Sequence, residues 1–434
     1  MIRILTSQDM GKVLARRVAR LTEAEATVRP ILDDVRKRGD RALMDHARQF
    51  DGLERKTVRV PGIELQQAAE RLLDSFRSAV AEAADNVRAF AERQMPREHF
   101  KPLKPGLHVG QIVRPLDTVA AYIPGGRYPL PSTLIMTGVP ARVAGVRHIC
   151  AACPRAVDEV FGTAHLLGVD QVFQMGGAQA IAAFAFGTKT VPKADRIVGP
   201  GNIYVAAAKK LLAGEVGIDF VAGPTEILII AAEGDPRFLA ADMLAQAEHD
   251  VDASAILLTT SKRLAASVSK EIELQLTNLS TAAVARKAIE RNSAIVIVRS
   301  LDEAVELSNR FAPEHLSIHD DSLLSKIQHA GSVFVGPFSP EAAGDYASGP
   351  NHVLPTSGAA RLRAGLSVTD YVKVITVQRL DARALQKLAP TVTTLARAEG
   401  LEAHARSVEV REAGWHPARR LSIGAGRVNN PPAG

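Results

Sequence analysis

Ile227-Leu-Ile-Ile-Ala-Ala232, Asp235-Pro-Arg237, Leu244-Ala-Gln-Ala-Glu-His249 and Ala255-Ile-Leu-Leu-Thr-Thr260 follow one another in the stretch whose reading decides the fold class. The first run is continuously apolar and β-rich, as a strand buried on both faces is. Asp235 then offers an N-cap and Pro236 sits at the first helical position. Phe238, Leu239, Met243 and Leu244 recur at helical spacing towards His249, and 255–260 reads as the next strand. Gln246 and His249 lie three residues apart, so both project from one face near the helix's C-terminal end. An amide oxygen beside an imidazole nitrogen can form half of a metal site. Helix-end polarity is the plainer reading of such a pair, and a second pair of ligands elsewhere would have to complete it.

Working outward, the same alternation continues on both sides. Strands are predicted at 118–123, 148–152, 171–174 and 196–198, with helices at 132–144, 158–167, 178–186 and 203–212. That pattern predicts a parallel sheet covered on both faces. A second α/β series runs from 227 to 335 and includes strands at 294–298 and 332–335. Residues 1–20 read as a short helical arm, and 24–38 and 62–94 as helices with exposed charges. Residues 101–115, rich in proline and glycine, read as a connector or turn-rich hairpin. Helix returns after residue 366, at 381–388 and 391–411, and the Gly/Pro/Asn-rich tail from 413 is expected to be disordered.

A chain of 434 residues has length for two or more structural units and a substantial core. It contains no apolar run of membrane-spanning length, and its N-terminus lacks the apolar stretch of a secretory signal. A soluble, cytoplasmic protein without a membrane partner is the expectation. The net charge of +6 is spread among acidic residues rather than gathered in a stripe, and aromatics make up only 4%. Both facts argue against nucleic-acid binding. Cys150 and Cys153 admit three readings: a redox dithiol, half a zinc site, or two small buried residues at a strand end. A zinc ribbon needs a second pair, which the sequence lacks, and a redox pair usually opens a helix. The third reading is preferred.

Three glycine-rich turns follow strands of the first series: Pro124-Gly-Gly126, Gly176-Gly-Ala-Gln179 and Gly199-Pro-Gly-Asn202. Turns at the carboxyl ends of parallel strands are where such sheets bind ligands, and glycine lets backbone N–H groups approach a phosphate. No Gly-x-Gly-x-x-Gly occurs, so the standard dinucleotide fingerprint is absent. In the second series, Ala312-Pro-Glu-His-Leu316 puts a carboxylate and an imidazole at the start of a strand, where the sheet edge meets solvent. Histidine is the usual proton acceptor in catalysis, but adjacent strand residues face opposite sides, so Glu314 and His315 need not touch. Gly344-Asp-Tyr-Ala-Ser-Gly-Pro-Asn-His352 reads as a polar loop able to supply an oxygen ligand. His404 lies beyond a helix interruption at Gly400. Gln246, His249, Asp345 and His404 together make two imidazoles and two oxygens, a mixture zinc tolerates. Spacing alone does not bring these four together.

These residues, with Tyr122-Ile-Pro-Gly-Gly126, Ala222-Gly-Pro-Thr-Glu226, Asn351-His-Val-Leu-Pro355 and Glu399-Gly-Leu-Glu-Ala-His404, resemble the histidinol dehydrogenase family. The likeness runs in order from the N-terminal arm to about residue 411. It implies oxidation of L-histidinol to L-histidine by two hydride transfers to NAD through a bound aldehyde, the last step of histidine biosynthesis. It also implies one zinc per subunit, held by Gln246, His249, Asp345 and His404. His315 would be the general acid/base, Glu314 would activate water, and Tyr122, Gln179 and Asn202 would contact NAD. Thr225, His352 and Glu399 would hold the substrate alongside the metal ligands and His315. The family is a homodimer with a shared active site, so Glu399 and His404 would come from the other copy.

As to fold, the resemblance implies two incomplete Rossmann-like parallel-sheet domains, one inserted in the other, with helical arms at both ends. The inserted NAD-binding domain would span 120–226, the larger domain 21–119 and 227–366, and a C-terminal dimerisation arm 367–412. Threonine stands at 225, and Val374 follows Lys373, where serine and Lys-Arg are expected in many relatives. Those departures leave open a relative that oxidises another small polar alcohol, such as a sulfonated diol.

Overall fold

The computed structural model describes residues 1–9, 11, 21–125, 128–155 and 157–414. Two compact units divide it, one formed by 1–95 with 115–372 and the other by 96–114 with 373–434.

The first unit holds two parallel sheets of one design. In the smaller, the strands are ordered Gln171–Phe173, His148–Ala152, Thr118–Tyr122, Arg196–Val198 and Gly217–Ile218. Numbered along the chain, that order is 3-2-1-4-5, as in a nucleotide-binding α/β sheet. The larger sheet repeats it with Ala294–Ile297, Ser254–Thr259, Glu226–Ile230, His315–Ile318 and Ser332–Val335, and adds Arg3–Thr6 at the edge beside Ala294–Ile297. The strand period of two divides each strand between two cores. Ala120, Tyr122, Cys150 and Ala152 face one layer of the smaller sheet, while Val119, Ala121, Ile149 and Ala151 face the other. Ile227 and Ile229 part from Leu228 and Ile230 in the same way. Burial on both faces explains why these strands read as continuous apolar runs rather than alternating ones.

Helices cover the faces as their patterns require. Pro236–Ala247 starts at Asp235, whose side chain accepts from the Arg237 amide, with Pro236 at the first helical position. Asn202 caps Ile203–Leu212 by accepting from the Tyr204 and Val205 amides. The segment read as one helix over 62–94 is two, Gly62–Arg71 and Asp74–Gln94, because Leu72 and Leu73 take extended backbone between them.

The helical arm expected at 1–20 begins differently. Arg3–Thr6 is a strand, since Ile2 is buried and Arg3 to Thr6 pair in register with Ala294 to Ile297. Residues 10 and 12–20 lie outside the described residues, as does the expected disordered tail from 415 on. In the second unit, His99–Lys104 and Leu107–Pro115 form the expected hairpin, and Val372–Leu380 adds a third strand. Helix had been expected after 366; the β-branched residues of Val372-Lys-Val-Ile-Thr-Val377 favour strand instead. The break between the last two helices falls at Gly400 with φ +76, between Ala382–Ala398 and Glu402–Gly414, so Pro390 lies within a helix. Residues 96–114 group with the C-terminal segment rather than with the larger α/β domain to which 21–119 were assigned.

Candidate active site

Two neighbouring strands of the larger sheet, Glu226–Ile230 and His315–Ile318, present the reactive residues at their amino edges. Thr225 precedes the first and Glu314 the second. The helix Leu301–Phe311 ends on Ala312 in a left-handed conformation, φ +50, and Pro313 leads into the strand. Glu314 therefore stands outside the regular strand alternation. Its Oε2 lies 3.7 Å from His315 Nδ1, so the two side chains converge where strict alternation would have parted them. Neither faces solvent, contrary to expectation: Glu314 is 6% and His315 3% exposed.

Hydrogen bonds fix each group. Glu314 Oε2 accepts from the Thr225 hydroxyl at 2.6 Å and the Glu226 amide at 2.9 Å. Burial pushes its carboxyl up to about 7, against the pull of His315 and the Thr225 hydrogen bond. His315 Nδ1 sits 3.2 Å from the Glu226 carbonyl oxygen. A carbonyl only accepts, so Nδ1 keeps its hydrogen and Nε2 is the ring nitrogen left to exchange a proton. Buried Nε2 has no hydrogen-bond partner among the described residues, its neighbour Asp345 Oδ1 lying 3.7 Å away. Burial alone would lower the imidazole's pKa. The carboxylates of Glu341, Glu314 and Asp345 outweigh burial and push it up to about 10.

Beside this pair lies a group of metal-type ligands. One ligand atom each from His249, Glu341 and Asp345 falls within 4.8 Å of the others. Asp345 is not in a loop, as had been expected, but in the short helix Glu341–Tyr346, which puts Glu341 one turn before it on the same face. The Gln246 amide, fully buried, adjoins them. One of its terminal atoms lies 2.5 and 3.0 Å from the Glu341 oxygens, and the other 2.8 Å from Thr225 Oγ1. An amide oxygen facing two carboxylate oxygens needs a positive charge between them; with the nitrogen there instead, the amide donates to both. An imidazole, two carboxylates and an amide at the C-terminal end of the helix Pro236–Ala247, where the dipole favours cations, fit a divalent ion such as zinc. His352 adjoins the group, its Nδ1 2.8 Å from the Asp345 carbonyl oxygen and its Nε2 3.4 Å from Thr133 Oγ1.

The smaller sheet carries the nucleotide-type residues at its carboxyl edge. Tyr122 ends the first strand, Gln179 lies in the first turn of Gly177–Phe186, and Asn202 caps the next helix. The glycine turns there were expected to offer free N–H groups to a phosphate, and two of them do not. The Gly176 amide donates to Asp51 Oδ2 at 2.9 Å and the Gly177 amide to Tyr122 Oη at 3.1 Å. Asn202 Oδ1 accepts from the Tyr204 and Val205 amides and so occupies them. Close approach is nonetheless built in: a Cβ on Gly199 would meet the Tyr122 carbonyl oxygen at 2.3 Å. The strand order and these glycines fit a nucleotide held by side chains. Cys150 and Cys153 are buried free thiols, pushed up by burial to about 12 and about 11, in keeping with a packing role.

Glu399 and His404 belong to the second unit. Glu399 closes the helix Ala382–Ala398, His404 lies in the first turn of Glu402–Gly414, and both are exposed. Sequence reasoning missed two groups. Glu341 was legible, since Pro340-Glu-Ala-Ala-Gly-Asp345 reads as a helix start with carboxylates four apart. Asp51 ends the helix Asp40–Asp51 before Gly52, and no local pattern links it to Gln179, more than a hundred residues away.

Taken as a class, a doubly wound parallel α/β protein with a buried acid–imidazole pair beside a His/Glu/Asp cluster is an enzyme able to use a metal ion. Residues 14–412 match the family model described as histidinol dehydrogenase. The histidinol dehydrogenase of Geobacter sulfurreducens is 46% identical over 414 residues, covering 93% of this chain and 96% of the relative. That of Bacillus thuringiensis is 45% identical over 422 residues, covering 94% and 98%. The crystal structure of histidinol dehydrogenase from Elizabethkingia anophelis superposes with a TM-score of 0.91 at 36% identity, covering 94% of this chain and 98% of that one. The chain belongs to the histidinol dehydrogenase family. Among the described residues, no helix is long and apolar enough to cross a membrane.

Proposed function

We propose that this chain oxidises L-histidinol to L-histidine by two successive hydride transfers to NAD, through an aldehyde that stays bound, as the last step of histidine biosynthesis in the cytoplasm. The observation that carries the reading is the buried Glu314–His315 pair beside His249, Glu341 and Asp345, in a chain of this family. Gln246, His249 and Asp345 would hold one zinc per subunit, with His404 of the partner subunit completing the set in a homodimer. An ion held there would supply a positively charged anchor for the substrate. Tyr122, Gln179 and Asn202 would hold NAD, which would supply the hydride acceptor.

The protein's own groups do the proton work. His315 Nε2, the ring nitrogen without a partner, takes the proton from the substrate hydroxyl as the hydride departs. Its Nδ1–H stays anchored on the Glu226 carbonyl, which holds the ring in the accepting tautomer. The aldehyde must be hydrated before a second hydride leaves. Glu314 takes the proton from that water, its carboxylate aimed by Thr225 and the Glu226 amide. Thr225 and His352, with the partner subunit's Glu399, orient the substrate. Asp345 is thereby both a ligand and the nearest charge to His315 Nε2. The Asp345 charge helps to raise the imidazole, and a cation held beside it would offset that charge and favour the neutral, proton-accepting ring.

Steady-state assays on the zinc-loaded protein test this. L-histidinol should give two NADH per molecule and L-histidine as product. Turnover of a sulfonated diol with no NADH from histidinol would refute the reading in favour of a different small alcohol.

A further inference from the structure

A dinucleotide fold usually places an acid after its second strand to bind the adenosine ribose, and a diphosphate on the first helix N-terminus. Here the second strand, His148–Ala152, is followed by Cys153-Pro-Arg155, with no acid. A carboxylate reaches the same edge from elsewhere. Asp51, at the end of the helix Asp40–Asp51, accepts on Oδ2 from the Gly176 amide at 2.9 Å and from Gln179 Nε2 at 3.0 Å. A Cβ on Gly176 would meet Pro154 at 2.7 Å and Asp51 Oδ1 at 2.8 Å, so the carboxylate lies against the turns that follow the second and third strands.

Resting on the reading of NAD as cosubstrate, we propose that Asp51 and Gln179 seat the adenosine ribose diol and that Asp51 sets the preference for NAD over NADP.

Three features lead there. Gln179 is 1% exposed, and with Nε2 bound to Asp51 its Oε1 has no hydrogen bond among the described residues. Both bonds to Asp51 fall on Oδ2, which likewise leaves Oδ1 without one. The edge therefore keeps two acceptors, Asp51 Oδ1 and Gln179 Oε1, without a hydrogen bond among the described residues. A vicinal diol supplies two donors and matches them; a phosphate, which only accepts, does not. The Gly176 and Gly177 amides that could have offset a phosphate are already spent on Asp51 and Tyr122. A 2′-phosphate at this place would remove one of the two donors and set a dianion against a carboxylate. Gly177, at φ +57, is part of the same seat, because a Cβ there would meet Gln179 Oε1 at 2.7 Å and push the amide out of position.

The test uses the full-length, zinc-loaded protein and calorimetric titration with three ligands: NAD, NADP, and the NAD analogue lacking the adenosine 2′-hydroxyl. The wild-type protein should bind the deoxy analogue about 10-fold or more weakly than NAD, as loss of a hydrogen bond to a charged group implies. NADP should bind more weakly still. Asp51→Asn keeps an oxygen for the Gly176 amide and removes the charge; it should narrow the gap between NAD and NADP by about 10-fold, with an unchanged thermal unfolding profile. A deoxy analogue that binds as well as NAD overturns the proposal, and this arm needs no variant to fold. A folded Asp51→Asn protein that keeps the wild-type gap also overturns it. A wild-type protein that binds neither dinucleotide overturns the NAD reading itself, a result distinguishable from the other two.

Discussion

Replacing Glu314 by glutamine should split the two half-reactions. The amide oxygen can still accept from the Thr225 hydroxyl and the Glu226 amide, the bonds that now hold Oε2 at 2.6 and 2.9 Å. Shape and anchoring survive; the base does not. A positioned general base is worth about 10²–10⁴ in rate, which corresponds to about 3–5 kcal/mol of activation free energy. The loss should fall on the second hydride transfer, which needs hydrated aldehyde. The first needs only His315 and should change little. Burial pushes Glu314 up to about 7, so its working form is the carboxylate present above that pH. In the wild-type protein, the second half-reaction should therefore lose about tenfold per pH unit on the acid side of the Glu314 pKa, a limb that Glu314→Gln abolishes. Stopped-flow mixing with histidinol and NAD reads both steps as NADH. The variant should show one rapid equivalent of NADH and a slow second, and the bound aldehyde supplied directly should react slowly too. Equal slowing of both equivalents, or an unimpaired second one, refutes the assignment of Glu314 to water.

Other expectations follow from the same geometry. His315→Ala should spare zinc content and NAD binding but slow the first hydride transfer by about 10² or more, read in the same burst experiment. His249→Ala should strip the zinc, measured by atomic absorption after dialysis, and mixing His404→Ala with Gln246→Ala protein should restore activity if the site is shared between copies. Lys209 and Asp219 form a 2.6 Å ion pair that is 3% and 0% exposed and grips Gly199 through both its carbonyl and its amide. Lys209→Met should cost about 3–5 kcal/mol in urea unfolding and weaken NAD binding, while adding Asp219→Asn should recover part of the stability. Asp242 is raised by burial from 3.8 to about 6, so its folded form holds a proton that the unfolded chain releases. Its ionisation penalty is absent below pH 4 and complete above pH 6, so Asp242→Asn should stabilise the protein at pH 8 by on the order of 1–2 kcal/mol and not at pH 4.

The strands were legible because burial on both faces wrote them as apolar runs; His148–Ala152 and Ser332–Val335 fall where the sequence places them. Helix starts were legible where a cap residue declared itself, as Asp235 and Asn202 do. Arg3–Thr6 was not, because four residues at a sheet edge carry a half-exposed pattern that a helical arm shares. Among the site residues, Gln246 and His249 announced themselves by helical spacing. Glu314 and His315 were adjacent and conspicuous, yet their convergence depends on the left-handed turn at Ala312, where no glycine marks it. Asp51 and Gln179 meet only through the tertiary fold, and local sequence contains no trace of such a meeting.

The two sheets share one strand order but present opposite edges to their chemistry, and a difference in charge accounts for it. A parallel sheet points helix N-termini, with free amides and positive dipole ends, at its carboxyl edge. That edge suits a nucleotide, and in the smaller sheet Tyr122, Gln179 and Asn202 lie there, with several of its amides already bonded by protein side chains. The amino edge receives the C-terminal ends of the same helices, where carbonyls and negative dipole ends favour a cation. In the larger sheet Thr225, Glu314 and His315 open strands at that edge, and Gln246 and His249 arrive there as the helix Pro236–Ala247 runs out. Acids raised by burial, such as Glu314 at about 7, are hard to keep ionised at that edge unless positive charge is nearby. A divalent ion at the His249, Glu341 and Asp345 cluster would supply it. The carboxylates that are costly to ionise there are then the ones that would favour a cation, a reason for the His249, Glu341 and Asp345 cluster and the acid–base pair to share one edge.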